Sequence, residues 1–116
     1  MKKHQGSCHC QAITWEAEAD IDEVMECNCS HCSRKGFLLK FIPADKFNLR
    51  SGENNLQEYR FNKKQIAHLF CKTCGVQSFG RGKDQESNET VALNVRCIPD
   101  LNIESLKIKK VDGKSW

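Results

Sequence analysis

The segment FCKTCG, at Phe70–Gly75, places two cysteines three positions apart and follows the second with a glycine. Two thiolates at this spacing can bind one metal ion when the chain turns between them, and glycine adopts the positive φ of such a turn at little cost. A structural zinc takes four ligands, so Cys71 and Cys74 account for half of a site. The fold therefore depends on where the other two ligands lie.

The N-terminal segment SCHC, at Ser7–Cys10, supplies a second pair of cysteines. Side chains at i and i+2 of an extended chain point to the same face, so Cys8 and Cys10 can share one ion. We therefore predict a closed site that ties the N-terminus to the middle of the chain, with the ligands Cys8, Cys10, Cys71 and Cys74. A redox-active pair at Cys71 and Cys74 is the alternative, but the βαβ pattern typical of such pairs is missing from the sequence.

A further segment, CNCSHC at Cys27–Cys32, contains three cysteines within six residues. Cys27 and Cys29 can share one face of a strand, and a turn after them can bring Cys32 alongside. Three protein ligands leave one position of a tetrahedral zinc open, which is typical of catalytic sites. We predict a second, open zinc site here, with Cys29 as the candidate catalytic residue because a metal keeps such thiols deprotonated.

Other interpretations of the eight cysteines stay open. His31 or Cys97 could complete the second site and make the protein a binding or scaffold module with two structural zincs. The thiols of Cys27, Cys29 and Cys32 could instead form a redox sensor. A disulfide framework is disfavoured because the cysteines are clustered and the N-terminus lacks the apolar stretch of a signal peptide. Cys97 otherwise fits a buried thiol in a strand.

The bulk composition is that of one globular domain, residues 1–116, with 39% hydrophobic and 28% charged residues. Abundant unpaired thiols and the lack of a signal peptide predict a cytoplasmic protein. The formal charge is +3, and seven deprotonated cysteines with two divalent ions would bring it to about zero. Scattered lysines without interleaved aromatics, and no apolar run of spanning length, predict neither a nucleic-acid nor a membrane partner.

Short apolar stretches separated by turn residues predict a mainly β domain with one or two short helical turns. Asn54 and Asn55 are predicted to form a hairpin turn, and a proline near its start favours a helical turn over residues 99–106. The predicted strands cover residues 12–18, 22–29, 37–42, 47–50, 56–61, 66–71, 91–98 and 107–111.

Three polar side chains outside the clusters are candidates for substrate contacts. His68 is expected on the same strand face as Phe70, where it makes either a structural hydrogen bond or a substrate contact. Alternation along the strand 91–98 would place Asn94 and Arg96 on one face. A guanidinium can bind a carboxylate through two parallel hydrogen bonds, so Arg96 and Lys35 are candidates for a substrate carboxylate, with a surface salt bridge as the alternative for Arg96.

The segments GSCHC, CNCSHC, HLFCKTCG, NVRC and DGKSW together resemble the glutathione-dependent formaldehyde-activating enzyme family, which shares its domain with centromere protein V. The resemblance implies a β-tent fold, a small architecture of antiparallel sheets stapled by zinc. By motif match it implies a structural zinc at the four-cysteine set and a second zinc at Cys27, Cys29 and Cys32.

The resemblance also implies an activity, that of a carbon–sulfur lyase. Such an enzyme adds glutathione reversibly to formaldehyde to give S-hydroxymethylglutathione, so the expected partners are a small thiol such as glutathione and a small carbonyl compound. One departure lies next to a ligand: Gln11 stands where the family's usual GSCHCG has a glycine. This departure raises the question of whether the turn after Cys10 is altered.

Overall fold

The computed structural model describes residues 2–60, 66–84 and 86–112 and is built mainly of short strands. Within these ranges one short α-helix and four 3₁₀ turns connect the strands, the turns lying at Ala44–Lys46, Glu53–Asn55, Val95–Cys97 and Ile103–Ser105. In chain order the strands and the helix are β1 (Lys2–Ser7), β2 (Thr14–Ala19), β3 (Glu23–Cys27), α1 (Ser30–Lys35), β4 (Leu39–Pro43), β5 (Phe47–Ser51), β6 (Leu56–Tyr59), β7 (Ala67–Cys71), β8 (Phe79–Lys83), β9 (Glu89–Asn94) and β10 (Lys107–Val111).

The smaller sheet has three antiparallel strands in the order β1-β2-β5. Gly6 of β1 pairs with Trp15 of β2, and a Cβ atom at Gly6 would overlap the indole ring. Glycine at this position therefore lets the tryptophan lie flat across its neighbour strand. Trp15 is fully buried and anchors this sheet to the rest of the protein.

The larger sheet has seven strands in the order β10-β3-β4-β9-β8-β7-β6. Its C-terminal edge strand, β10, runs parallel to β3, whereas the other pairs of neighbouring strands are antiparallel. The helix α1 follows β3 directly, so the chain leaves the sheet, turns through the helix and re-enters as β4. The end of β3 and this excursion contain Cys27, Cys29 and Cys32.

The main core forms where side chains of the two sheets meet. The indole Nε1 of Trp15 donates to Ser78 Oγ at 3.1 Å, which joins β2 to the residue before β8. The ring of Phe47 lies 5.6 Å from Trp15 and 4.8 Å from Phe79, so aromatic packing bridges the sheets. Cys8 and Cys71 belong to this core.

A second, smaller core lies on the other face of the seven-stranded sheet. Its buried members are Cys32, Phe37 and Leu39. Leu39 and Ile42 are three positions apart in β4 and point to opposite faces, and Ile42 belongs to the main core. The helix α1 thus packs on the outer face, so the two cysteine clusters belong to different cores.

The prediction of a mainly β architecture with short helical turns is confirmed. The predicted strands up to residue 71 and at 107–111 are present with small shifts of their ends, although residue 61 lies outside the described residues. The strands β1 and β8 and the helix α1 were not predicted from the sequence.

Two local predictions are wrong. The segment with Asn54 and Asn55 is a 3₁₀ turn, not a hairpin turn, because the strands on either side belong to different sheets. The strand predicted over 91–98 ends at Asn94, and the chain continues as the 3₁₀ turn Val95–Cys97. Asn94 and Arg96 therefore do not alternate along one strand, and Cys97 is a half-buried turn residue. No helix in the described ranges is long and apolar enough to cross a membrane.

Candidate metal centres

The first cluster brings together the sulfur atoms of Cys8, Cys10, Cys71 and Cys74, all within 4.8 Å of one another. The Sγ–Sγ distance is 3.8 Å from Cys8 to Cys10 and 3.7 Å from Cys10 to Cys71. Four sulfurs around a tetrahedral zinc at about 2.3 Å lie about 3.8 Å apart, so this set fits one such ion. The predicted pairing of the N-terminal and central segments is therefore what the structure assembles.

The turn that follows β7 directs backbone N–H groups at Cys71. Its Sγ accepts from the N–H of Thr73 at 3.4 Å and from that of Cys74 at 3.5 Å. Gly75 has a φ of 80° and donates its N–H to the Cys71 carbonyl at 2.9 Å, which closes the turn. Hydrogen bonds of this kind stabilise a thiolate, the form of cysteine that binds a metal.

Asn55 contributes to this site, a role that was not predicted from the sequence. Its Nδ2 donates to Cys71 Sγ at 3.3 Å and to Thr73 Oγ1 at 3.1 Å, and its carbonyl accepts from the Lys72 N–H at 2.8 Å. Asn55 therefore supports the metal-binding turn from outside, a position from which a residue orients ligands. Only its turn-forming character was visible in the sequence.

The N-terminal pair of ligands lies in a turn, not in an extended strand as predicted. Cys8 follows the end of β1 and Cys10 lies two residues into the turn. Gln11 has a φ of 66°, in the left-handed region that favours glycine. The backbone at position 11 therefore adopts a conformation that favours glycine, although the residue there is a glutamine.

The thiols of the first cluster differ in acidity. Burial opposes ionisation of Cys74, but the backbone N–H groups of Cys10 and Val76 outweigh it and lower the pKa of that thiol to about 6. A backbone N–H from Ala12 favours the Cys10 thiolate, yet burial and the neighbouring sulfurs together raise the pKa of Cys10 to about 11. Closely packed sulfurs resist carrying four negative charges, so a bound cation would relieve their mutual repulsion.

The second cluster brings together the sulfurs of Cys27, Cys29 and Cys32, again within 4.8 Å of one another. Cys27 is the last residue of β3, and Cys29 is the N-cap of α1. The Cys29 Sγ accepts the N–H of Cys32 at 3.3 Å, the hydrogen bond that a capping side chain makes. The start of a helix therefore brings the third cysteine beside the other two.

Acidity separates two members of the second cluster. Burial opposes ionisation of Cys29, but the Cys32 N–H and the neighbouring thiols outweigh it, so the pKa of Cys29 lies below its ordinary value. Burial raises the pKa of Cys32. Cys29 is the thiol of this pair that ionises first.

Neither candidate for a fourth ligand joins the three sulfurs in the part of the chain that the structure describes. Cys97 ends the 3₁₀ turn Val95–Cys97, which contacts β1, the strand that leads into Cys8. Burial and the negative charges of Cys8 and Cys74 raise the pKa of the Cys97 thiol to about 11. His31 points along the sheet face, where its ring lies 4.1 Å from that of His68. The second cluster thus offers three protein sulfurs to a metal.

An aromatic and histidine group lies next to the second cluster. The ring of Tyr59 stacks on His31 at 5.8 Å, and the ring of Phe37 lies at the same distance from His31. Burial, with smaller contributions from His31 and Lys35, lowers the pKa of His68 to about 4. Burial and the charge of Lys35 also lower the pKa of His31. His68 is therefore a neutral imidazole at pH 7.

The predicted face of His68 is consistent with the strand pairing. His68 pairs with Gly80 of β8, and Phe70, two residues on, shares its face of β7. The Lys35 ammonium lies 5.6 Å from the centre of the Phe70 ring and 6.0 Å from that of Phe37. The outer face of the sheet thus combines three thiols, two histidines and a cation within one surface region.

Comparison with known proteins finds a similar fold and a matching family. A crystal structure of a Rhodobacter sphaeroides protein superposes with a TM-score of 0.77 at 25% sequence identity, covering 90% of this chain and 99% of that one. The family model described as glutathione-dependent formaldehyde-activating enzyme matches residues 3–109. This chain belongs to the glutathione-dependent formaldehyde-activating enzyme family.

Proposed function

We propose that this protein is a zinc-dependent carbon–sulfur lyase that adds glutathione, or a related small thiol, to formaldehyde or another small carbonyl compound. The observation that carries the proposal is the group of three sulfurs at Cys27, Cys29 and Cys32. Three protein ligands leave a coordination position for a substrate, whereas four would close the site. The family match supports the choice of glutathione and formaldehyde.

The two clusters have different roles in this proposal. The four sulfurs at Cys8, Cys10, Cys71 and Cys74 would hold a structural ion that fastens β1 to the turn after β7. The three sulfurs of the second cluster would hold the ion at the reaction site. When bound there, zinc supplies a positive charge that favours thiolate over thiol and stabilises negative charge developing on oxygen.

The chain's own residues position the reactants. The sulfur of the substrate thiolate forms a bond to the carbonyl carbon, the carbon–oxygen double bond becomes single, and the oxygen takes a proton to give the hydroxymethyl thioether. The proton that the substrate loses on becoming a thiolate is returned to this oxygen through solvent, and the neutral imidazoles of His31 and His68 can each donate an N–H hydrogen bond that stabilises the negative charge on it. Holding thiol and carbonyl together contributes more than acid catalysis, because it turns a bimolecular step into an intramolecular one.

A reduced compartment suits this chemistry. Glutathione is the main small thiol of the cytosol, and the seven clustered cysteines bind metal only when they are reduced. We therefore place the protein in the cytoplasm, where thiol and free cysteines coexist.

The activity is tested by measuring the exchange rate between glutathione, formaldehyde and their adduct by NMR with zinc-loaded protein. Wild type and Cys97→Ser, which alters a thiol outside both clusters, are expected to accelerate exchange equally. Cys29→Ser is expected to lose the acceleration. If wild type leaves the spontaneous rate unchanged with this and other small carbonyls, the proposal is wrong.

X-ray absorption separates this enzyme from a scaffold with two closed sites. One four-sulfur and one three-sulfur site give an average of about 3.5 sulfurs per zinc, with a lighter atom such as oxygen as the fourth ligand of the second zinc. Two structural sites would give about 4. An average of about 4 sulfurs per zinc, together with an adduct exchange rate that the protein leaves unchanged, would favour the scaffold.

A further inference from the structure

We propose that Arg96 binds the carboxylate of the thiol substrate, and that this carboxylate is the one on the residue that follows the thiol-bearing cysteine, as in the glycine of glutathione. The inference rests on the proposed function, since it takes the substrate thiol to be held at the second cluster.

Arg96 reaches the helix that carries the second cluster. Its Nε donates to the carbonyl of Gly36 at 3.1 Å. Gly36 ends α1 with a φ of 68°, and its N–H donates to the carbonyl of Cys32 at 2.9 Å. The guanidinium therefore lies at the C-terminal end of α1, one helical turn beyond a cysteine of the cluster.

The arginine is held at both its backbone and its side chain. Its N–H donates to Asn94 Oδ1 at 3.2 Å, and Asn94 Nδ2 in turn donates to the carbonyl of Gln77 at 2.9 Å. Asn94 is buried, so little water competes for these hydrogen bonds. With Nε fixed on Gly36, the two terminal nitrogens form the flat edge that binds a carboxylate through parallel hydrogen bonds.

Within residues 2–60, 66–84 and 86–112, Arg96 has no carboxylate partner. The ion pairs recorded there are those of Arg50 with Glu16 and of Arg60 with Glu58. Arg96 is exposed, and its guanidinium is therefore open to an anion from solution.

The surrounding charge favours an anionic ligand. Arg34 and Lys35 occupy the last turn of α1, beside the carbonyl that Arg96 contacts. The Lys35 ammonium turns toward Phe70, and the Arg34 guanidinium turns back to the Ser30 carbonyl at 2.8 Å. Arg34 thus contributes charge to this region without offering the same geometry, which makes it a matched control for Arg96.

The spacing selects one carboxylate of glutathione. One helical turn separates Cys32 from Gly36 along the axis, about 5.4 Å. Neighbouring residues are about 3.8 Å apart between Cα atoms, so a cysteine thiol and the next residue's carboxylate can lie on the order of 7 Å apart. The γ-glutamyl carboxylate is separated from the thiol by more bonds and would extend past the Arg96 guanidinium.

The test compares glutathione with its C-terminal amide, which differs only in that carboxylate, by calorimetric titration of zinc-loaded protein. We expect wild type to bind glutathione about tenfold or more tightly than the amide, the range for hydrogen bonds to a charged group. Arg96→Gln should abolish this preference, and Arg96→Lys should keep part of it. Arg34→Gln should keep it in full.

Zinc content and thermal unfolding of each variant establish that it is folded, and the wild-type comparison stands even if a variant fails to fold. Equal binding of glutathione and amide by wild type would overturn the inference, as would an absence of binding or an equal loss in Arg34→Gln and Arg96→Gln. Adduct exchange is measured separately. An Arg96-dependent preference without faster exchange would contradict the proposed function and leave the carboxylate site standing.

Discussion

At the scale of single residues, the turn after Cys10 contains a residue in an unfavourable conformation. Gln11 adopts a φ of 66°, and a side chain in the left-handed region costs about 1–2 kcal/mol. Glycine avoids that cost but loses more backbone entropy on folding, about 0.5–1 kcal/mol. Gln11 therefore lowers the stability of the folded protein relative to a glycine at the same position.

We predict that Gln11→Gly raises the free energy of unfolding by up to about 1.5 kcal/mol, the largest difference between these two contributions. Denaturant unfolding of zinc-loaded protein measures it. Gln5→Gly, in the ordinary extended backbone of β1, should lower stability instead. The same sign of change in both variants would contradict this explanation.

Asn55 shows how a residue outside the ligand set contributes to a metal site. Its Nδ2 bridges Cys71 Sγ and Thr73 Oγ1. We predict that Asn55→Ala weakens zinc binding at the first site by about 10-fold or more, as measured by competition with a chelator. Asn54→Ala, at an exposed neighbour, should leave the affinity unchanged. Equal affinities in both variants would show that the amide does not support the site.

At the scale of elements, α1 depends on a cysteine that has two tasks. Cys29 caps the helix through its Sγ and also belongs to the second cluster. Serine is among the best capping residues, whereas alanine cannot cap. Substitution at this position therefore separates the two tasks.

We predict that Cys29→Ala is less stable than Cys29→Ser by about 1 kcal/mol, although both lose the second metal. Unfolding with one equivalent of zinc, enough for the first site, gives the comparison. Identical stability of the two variants would mean that a side-chain cap at position 29 contributes nothing to the helix.

The contact between α1 and β7 predicts a dependence of stability on pH. The pKa of His68 is about 4 in the folded protein, below its ordinary value of 6.5, so the unfolded chain binds the proton more readily. The stability that neutral His68 contributes is complete above pH 6.5 and is lost as the pH falls towards 4.

His68→Gln should therefore lose less stability than wild type between pH 6.5 and 4.5, with slopes differing by up to about 1.4 kcal/mol per pH unit. The metal sites add a pH dependence that both proteins share, so the difference between the slopes isolates His68. Parallel profiles would contradict the assigned pKa.

The elements also show what sequence patterns reveal. Ligand spacing is local, so both clusters were predicted from SCHC, CNCSHC and FCKTCG. The strand β8, FGRGK, has two glycines and little apolar alternation, and α1 has six residues, too few to show a helical period. The contact between His31 and His68 joins distant segments, and no single-sequence pattern predicts such a pair.

At the scale of the whole molecule, the two clusters occupy opposite faces of the seven-stranded sheet. Cys8 and Cys71 are buried in the main core, where a metal would fasten the two sheets together. Cys32 belongs to the small outer core beneath α1. Loss of the first metal is therefore expected to unfold the protein, whereas loss of the second leaves the fold intact.

Native mass spectrometry of freshly purified wild type beside Cys29→Ser measures the zinc content and so determines whether the second cluster is a metal site separate from the first. We expect two zinc ions in wild type and one in Cys29→Ser, with the circular dichroism spectrum of the folded protein in both. One zinc ion in each protein would contradict this expectation, because the second cluster would then not be a metal site.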